Sequence, residues 1–312
     1  MQNDERREEG ALERLLLAHL DEQRRARRWG IFFKSLGFIW LFLLIALIAS
    51  RDTGDFVSTK PHTGLIDIQG EIGGDEGVSA DDIIDALNNA FNNKHSKAVV
   101  LRINSPGGSP VQAGQIYDEI RRLREKHKDK PVYVVVDDIC ASGGYYIAAA
   151  ADKIFVDKAS LVGSIGVLMD GFGFTETMKK LGIERRLLTA GENKGFLDPF
   201  SPLDPQDVAH AQRLLNEIHQ QFIQVVRQGR GDRLKEQPGL YSGLIWNGTR
   251  SIELGLADGL GNLNYVAREV VKAEDIVDYS PRESLADRLA RRLGTALGEA
   301  MGPLVRQGVS MR

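Results

Sequence analysis

The sequence is poor in the residues that build metal sites and disulfides. Its 312 residues include one cysteine, Cys140, so no intrachain disulfide can form. The six histidines show no metal-ligand spacing with Cys140 or with one another. These features exclude a structural zinc site, and we expect no metal or cofactor in the chemistry of this chain.

The sequence also lacks an excess of charge of either sign. It has 40 Lys and Arg residues against 43 Asp and Glu, for a formal net charge of −3. A chain without a basic field has little attraction for nucleic acid. Neither the G-K-[ST] of a P-loop nor the GxGxxG of a dinucleotide-binding fold occurs. We therefore expect no nucleic-acid partner and no nucleotide site.

Charge is nearly absent from residues 31–49, where Lys34 is the single charged residue. At a rise of about 1.5 Å per residue, a helix of this length reaches about the thickness of a bilayer core. A cleaved signal peptide is disfavoured, because about thirty mostly polar residues precede the segment and no A-x-A site follows it. The pattern predicts an uncleaved transmembrane helix over residues 31–50.

The charges that flank this segment predict its orientation. Basic residues stand on its N-terminal side: Arg24, Arg25, Arg27, Arg28 and Lys34. The positive-inside rule then places the N-terminus in the cytoplasm. We expect a single-pass protein of the bacterial inner membrane, in contact with lipid through its anchor. The residues after 50 would then lie outside the cytoplasm, in the periplasm if the cell is Gram-negative.

The remainder of the chain alternates short apolar runs with longer amphipathic stretches. The runs at 98–104 and 132–137 are nearly continuous in Val, Ile and Leu, as in parallel strands that are covered on both faces. This βαβ rhythm predicts an α/β fold. The predicted strands are Leu65–Gln69, Ala98–Asn104, Val132–Asp137, Ile154–Val156, Val162–Leu168 and Glu184–Leu188, and the predicted helices are Ala80–Asn92, Val111–Lys126 and Pro205–Gln228.

These patterns divide the chain into five parts. We predict a cytoplasmic tail (1–30), the anchor (31–50), a linker (51–62), a folded domain (63–280), and a C-terminal amphipathic helix and tail (281–312). In the last part, leucines recur every four residues from Leu285 to Leu297, which favours a helix docked on its own domain or on a neighbouring subunit.

Two glycine-rich junctions follow predicted strands. Gly107 and Gly108 end the first, where backbone N–H groups can point toward an oxyanion or a phosphate; an ordinary strand-to-helix turn explains the pair equally well. Ser142 precedes Gly143 in the second, at a predicted helix N-terminus where the macrodipole favours developing negative charge. The alternative for Ser142 is a plain helix N-cap.

Two further residues are candidates for chemistry. Cys140 is a rival nucleophile, although its apolar neighbours favour a buried thiol that only packs. Lys194 lies among Phe196, Leu197 and other apolar residues. Apolar surroundings lower the pKa of a lysine ammonium, and a neutral lysine can serve as the base of a serine nucleophile without any histidine. The alternative is a solvated loop lysine.

Four motifs occur in order behind the predicted anchor: RINSPGG, ASGGYYIAAAADKI, VGSIGV and GENKGFLDPF. Together they resemble the signal peptide peptidase A family, membrane-anchored serine peptidases of the crotonase- and Clp-protease-like superfamily. The resemblance runs from about Gly64 to Tyr279. It implies a superhelical βαβ core behind an N-terminal transmembrane helix.

The resemblance also implies roles for single residues. The serine of A-S-G-G, here Ser142, is the nucleophile, and the lysine of G-x-x-K-x-x-x-x-P-F, here Lys194, is the general base. The serine of G-S-I-G-V, here Ser164, helps to orient that lysine. Three glycines resemble the loops that supply oxyanion N–H groups: Gly107, Gly108 and Gly143.

Partners and substrates follow from the same resemblance. Family members with one copy of each motif form oligomers in which serine and lysine come from neighbouring subunits. The implied substrates are remnant signal peptides and other apolar or unfolded peptide segments. Tyr145, Tyr146 and Phe196 are candidates to line an apolar pocket, with core packing as the alternative.

Two other functions compete with a peptidase. A crotonase-type acyl-CoA enzyme would share the fold, but it predicts a soluble chain with acidic residues that face a thioester. A catalytically silent membrane scaffold is the second alternative. The presence of both Ser142 and Lys194 argues against it.

Overall fold

The computed structural model describes residues 25, 27–43, 59–74 and 77–281. Contacts divide the chain into two units, Phe56–Pro281 and Met1–Asp55 with Arg282–Arg312. In the second of these units, residues 27–43 are helical and exposed. Within the described residues, no helix combines the length and the apolar character needed to cross a membrane. Positions 44–50 of the predicted anchor and 282–312 of the predicted C-terminal part lie outside the described residues.

A mixed sheet forms the centre of the unit Phe56–Pro281. Its strand order in the described residues is β6-β5-β3-β2-β1-β8, and β4 and β7 continue from β3 on a separate branch. Every pairing is parallel except the antiparallel β5–β6 pair. The strands are β1 (His62–Gln69), β2 (Ser96–Ser105), β3 (Val132–Ala141), β4 (Lys153–Val156), β5 (Leu161–Gly163), β6 (Ile245–Asn247), β7 (Gly259–Leu260) and β8 (Ile276–Asp278).

Helices cover the sheet, and their apolar faces form the core. In α1, Ile83, Leu87 and Phe91 recur at helical spacing and are buried, while Asp81 and Asp82 occupy the first turn. The helices are α1 (Ala80–Asn92), α2 (Pro110–Lys126), α3 (Gly143–Ala148), α4 (Thr175–Lys180), α5 (Pro205–Arg230), α6 (Gly248–Glu253) and α7 (Leu263–Tyr265), which a π-helical turn (Val266–Val271) extends; a 3-10 turn (Gly231–Arg233) follows α5. The predicted α/β class is confirmed.

Two different strands pair with β3 in succession along its length. Its first half pairs with β4, with Val135 opposite Phe155. Its second half pairs with β5, where Ala141 stands opposite Gly163. The residues that follow these two strand ends are Ser142 and Ser164, so the fork in the sheet brings both serines to one place.

Two predicted strands differ from the structure. The predicted strand Val162–Leu168 ends at Gly163, because Gly163 and Ser164 adopt φ values of 117° and 52° that break the extended chain. The predicted strand Glu184–Leu188 is wrong. Those residues, Glu-Arg-Arg-Leu-Leu, are all exposed, and no strand of the described part of the chain pairs with them.

Candidate active site

Ser142 connects the end of β3 to the start of α3. Its backbone has φ 50° and ψ −122°, a combination that residues with a side chain rarely adopt. The Ser142 N–H donates to Gly163 O at 2.9 Å, and the Ser142 carbonyl accepts from Tyr146 N at 2.9 Å. These two bonds fix the turn, and the side chain of Ser142 remains half-buried.

The Gly107–Gly108 loop passes directly beside this serine. A Cβ added at Gly107 would lie 2.6 Å from Ser142 Cβ and 3.0 Å from Ser142 Oγ. A Cβ added at Gly108 would lie 2.2 Å from Ile72 O. Since both positions also have positive φ, 110° and 143°, only glycine allows this approach.

Backbone hydrogen bonds to Ile72 hold that loop in place. The Ile72 N–H donates to Gly107 O at 2.8 Å, and the Ser109 N–H donates to Ile72 O at 2.8 Å. The side chain of Ile72 is buried in the core. The segment that follows β1 therefore sets the position of the loop relative to Ser142.

The three candidate oxyanion donors are not equivalent. The Gly107 N–H already donates to Ser105 Oγ at 3.2 Å. The Gly108 N–H has no acceptor in the described part of the chain. The Gly143 N–H is the first of α3, so it has no partner within the helix. A Cβ added at Gly143 would lie 3.4 Å from Gly108 N, so these two free donors are neighbours.

Ser142 opens into a cleft of about 580 Å³. Tyr146 and Phe222 both line this cleft, and their ring centroids lie 5.1 Å apart. One wall of the cleft is therefore aromatic. Ser164 lines the same cleft and donates its N–H to Leu244 O at 2.8 Å. The remaining lining residues are Glu71, Pro106, Gly108, Pro110, Ala113, Gly143, Gly166, Val167, Leu168, Ile218, Gln221, Ser242 and Gly243.

The three aromatic residues that were candidates to line an apolar pocket have different surroundings in the structure. Tyr146 lines the cleft of Ser142. Tyr145 is fully buried and donates its hydroxyl to Leu256 O at 2.8 Å, so it is a core residue. Phe196 lies beside another cavity, next to His210 on α5.

Cys140 is completely buried in β3, two residues before Ser142. Burial raises the pKa of its thiol far above the ordinary value, because the thiolate has no solvation there. A cysteine nucleophile must be a thiolate that substrate can reach. The structure therefore supports the packing interpretation of Cys140.

Lys194 is exposed and does not line the cleft of Ser142. The backbone N–H of Lys194 donates to Gly191 O at 3.0 Å within a series of tight turns. The turn that follows is tied to α5, because Asp207 Oδ2 accepts from Leu197 N at 3.1 Å. Within one chain the structure thus brings Ser142, Ser164 and the glycines together and leaves Lys194 outside.

A second carboxylate stabilises the loop that carries Lys194. Asp198 accepts hydrogen bonds from the Ser201 hydroxyl at 2.6 Å and from Arg185 Nε at 3.3 Å. The Ser201 hydrogen bond, followed by that of Arg185, lowers the pKa of the Asp198 carboxyl. The ionised Asp198 carboxylate thus links Ser201 and Arg185 beside the turn that carries Lys194.

Several residues of the site carried no signal in the sequence. Glu71, Gln221, Ser242 and Gly243 reach the cleft from three separate segments. The hydrogen bonds between Ile72 and the Gly107–Gly108 loop join residues that are about 35 positions apart in the sequence. Local spacing does not reveal such contacts. Within the residues that the structure describes, no group of three or more His, Cys, Asp or Glu side chains is arranged to hold a metal ion.

Comparison with known proteins gives two matching family models. The model described as peptidase family S49 matches residues 124–277, and the model described as Clp protease matches residues 55–161. A putative protease of Synechocystis is 30% identical over 204 residues, which cover 65% of this chain and 71% of that protein. A putative signal peptide peptidase SppA of Enterococcus faecium is 30% identical over 185 residues, which cover 59% and 53%.

A third relative is much longer than this chain. A Brucella abortus protein named Na(+)/H(+) antiporter NhaA is 50% identical over 183 residues, which cover 59% of this chain. The matched region spans 25% of that relative. The high identity is therefore confined to a quarter of the longer polypeptide.

Proposed function

Because the chain belongs to peptidase family S49, we propose that it is a serine endopeptidase with Ser142 as its nucleophile. The observation that carries this proposal is the strained Ser142 turn, which faces a cleft next to two backbone N–H groups that have no acceptor among the described residues. Strain of this kind costs about 1–3 kcal/mol and is concentrated at functional sites. A serine that served only as a helix cap would not need that backbone, and its side chain makes no cap hydrogen bond.

The proposed mechanism uses a neutral lysine and a backbone oxyanion hole. Lys194 takes the proton from Ser142 Oγ, and the oxygen attacks the peptide carbonyl to form a tetrahedral intermediate. The N–H groups of Gly108 and Gly143 stabilise the oxyanion. The lysine ammonium then protonates the leaving amine, and water hydrolyses the acyl-enzyme.

The lysine of each site would come from a neighbouring subunit. In a single chain Lys194 is exposed and lies outside the cleft. The surrounding segment, residues 167–204, has hardly any buried positions and displays large apolar side chains, including Phe172 at 80% and Leu188 at 97% exposure. Apolar surface of this kind is typical of an interface. In this proposal Ser164 orients the incoming Lys194 from the Ser142 side.

The proposed substrates are remnant signal peptides and other apolar or unfolded segments at a membrane. The apolar walls of the cleft, Tyr146 and Phe222 among them, support apolar substrate residues. The name of the Enterococcus relative, a putative signal peptide peptidase, agrees with this substrate class. The anchor at 31–50 and its basic flank would hold the active site outside the cytoplasm, near the bilayer.

The test is hydrolysis of a fluorogenic apolar peptide by the full-length chain in detergent. Ser142→Ala and Lys194→Ala should each lose nearly all activity while the mass of the oligomer stays unchanged. Lys179→Ala, an exposed lysine of the same segment, is the matched control and should retain activity. Full activity in Ser142→Ala would contradict the proposal. An assembled but inactive wild type would favour the scaffold, and binding of CoA would favour the acyl-CoA enzyme.

A further inference from the structure

The cleft of Ser142 has one carboxylate among its lining residues, Glu71, and no basic side chain. The other polar side chains that line it are neutral: Ser142, Tyr146, Ser164, Gln221 and Ser242. Most of the remaining wall is apolar or glycine. A single carboxylate at an otherwise uncharged cleft gives that cleft a defined preference for positive charge.

Backbone hydrogen bonds of Glu71 and Ile72 hold Glu71 at the cleft of Ser142. The next residue, Ile72, binds the Gly107–Gly108 loop through its N–H and its carbonyl, each at 2.8 Å. The Glu71 carbonyl accepts from Val78 N, also at 2.8 Å. Because hydrogen bonds fix the chain on both sides of it, Glu71 cannot move away from the cleft without displacing the loop beside Ser142.

The side chain of Glu71 is available for a ligand. Ile72 points into the core with 1% exposure, whereas Glu71 is exposed on the cleft side. None of the ion pairs in the described part of the chain includes Glu71. Other surface carboxylates, such as Glu119 and Glu236, pair with arginines. Within the described residues, the charge of Glu71 is thus not neutralised by an ion pair.

We infer that Glu71 selects peptides that carry a cationic side chain close to the scissile bond, next to apolar residues. This inference rests on the proposed peptidase function and narrows its substrate class. An exposed ion pair changes binding by a factor of about 2 to 5 in water, so the preference should be of that size. It should weaken as salt is added, since added ions screen charges outside the protein core.

The experiment compares N-acetylated fluorogenic peptides that share their apolar residues and differ at one position. That position is Lys, Gln or Glu, and it is moved in turn through the sites on both sides of the scissile bond. For at least one site, the wild type should cleave the Lys peptide about 2- to 5-fold more efficiently than the Gln peptide, mainly through a lower KM. The Glu peptide should be the poorest substrate.

Two variants of Glu71 and one control test whether the Glu71 carboxylate causes the preference for the Lys peptide. Glu71→Gln keeps the size of the side chain and should abolish the Lys-over-Gln preference while the Gln peptide is still cleaved. Glu71→Lys should reverse the order of the Lys and Glu peptides. Glu176→Gln removes an exposed carboxylate that does not line the cleft, and it should leave the preference unchanged.

The outcomes separate this inference from the function on which it rests. Equal cleavage of the Lys and Glu peptides by an active wild type, or a preference that survives in Glu71→Gln, would overturn the role of Glu71 alone. If the wild type cleaves no peptide, the peptidase function itself is contradicted.

Discussion

At the scale of the residue, Ser142 combines a reactive position with an unfavourable backbone. Its φ of 50° and ψ of −122° are accessible mainly to glycine. Hydrogen bonds to Gly163 and Tyr146 hold it there. The strained backbone lowers the stability of the fold, and it places the Ser142 hydroxyl beside Gly108 and Gly143.

This strain predicts opposite effects of one substitution on stability and activity. Ser142→Gly should abolish peptide hydrolysis and raise the free energy of unfolding by about 1 kcal/mol, because glycine adopts this backbone without penalty. Ser142→Ala keeps the Cβ atom, so it should lose activity without the gain in stability. Denaturant unfolding of both variants measures the difference. Equal stability of the two would contradict the account of strain.

The burial of Cys140 gives a second prediction at this scale. Its thiol is fully buried and its pKa is raised by burial, so the reactive thiolate is not formed near neutral pH. Iodoacetamide should leave the native enzyme fully active and unlabelled, and should label Cys140 only after denaturation. Mass spectrometry of the intact protein checks this. Rapid inactivation that parallels labelling would restore Cys140 as a rival nucleophile.

At the scale of the element, the sequence predicted best where periodicity was strong. Helix α1 has the predicted limits, and the strands around Ala98–Asn104 and Val132–Asp137 extend by only a few residues beyond them. The prediction for Glu184–Leu188 failed because this short segment has no neighbouring strand to pair with in the described part of the chain, and an isolated strand is not stable. The motifs predicted that Ser142, Ser164 and the glycines act together, and the structure places these residues close to one another. The contacts of Ile72 and Glu71 depend on tertiary packing, which local motifs do not reveal.

The hydrogen bond between α5 and the Lys194 loop predicts a positioning role for Asp207. Asp207 Oδ2 accepts from Leu197 N, three residues after Lys194, where the backbone has φ 51°. Asp207→Ala should lower kcat by about 5- to 10-fold, which corresponds to the loss of one hydrogen bond of about 1 kcal/mol. Asp207→Asn should keep most activity, because the amide oxygen still accepts.

A neighbouring carboxylate provides the control for this prediction. Asp204 caps the same helix by accepting from Gln206 N at 2.7 Å. Asp204→Ala should lower the stability of the protein by about 1 kcal/mol with little change in kcat. If Asp204→Ala and Asp207→Ala reduced activity equally, the effect would belong to helix stability and not to the position of Lys194.

At the scale of the whole molecule, the proposed Ser142–Lys194 mechanism implies that one chain holds an incomplete site. Ser142, Ser164, Gly108 and Gly143 meet in one cleft, whereas Lys194 lies on an exposed segment outside it. Exposed apolar residues such as Leu168 and Leu188 surround that lysine. Assembly of several copies would cover this surface and supply each cleft with a lysine. Activity should therefore depend on protein concentration in the range where subunits dissociate.

The most direct test mixes two inactive variants. Ser142→Ala and Lys194→Ala are co-expressed in equal amounts with different tags, and the mixed oligomers are purified through both tags. If serine and lysine come from neighbouring subunits, random mixing leaves about a quarter of the sites intact, so about a quarter of wild-type activity should return. Mixed oligomers that form but remain as inactive as either variant alone would contradict a Ser142–Lys194 site shared between subunits.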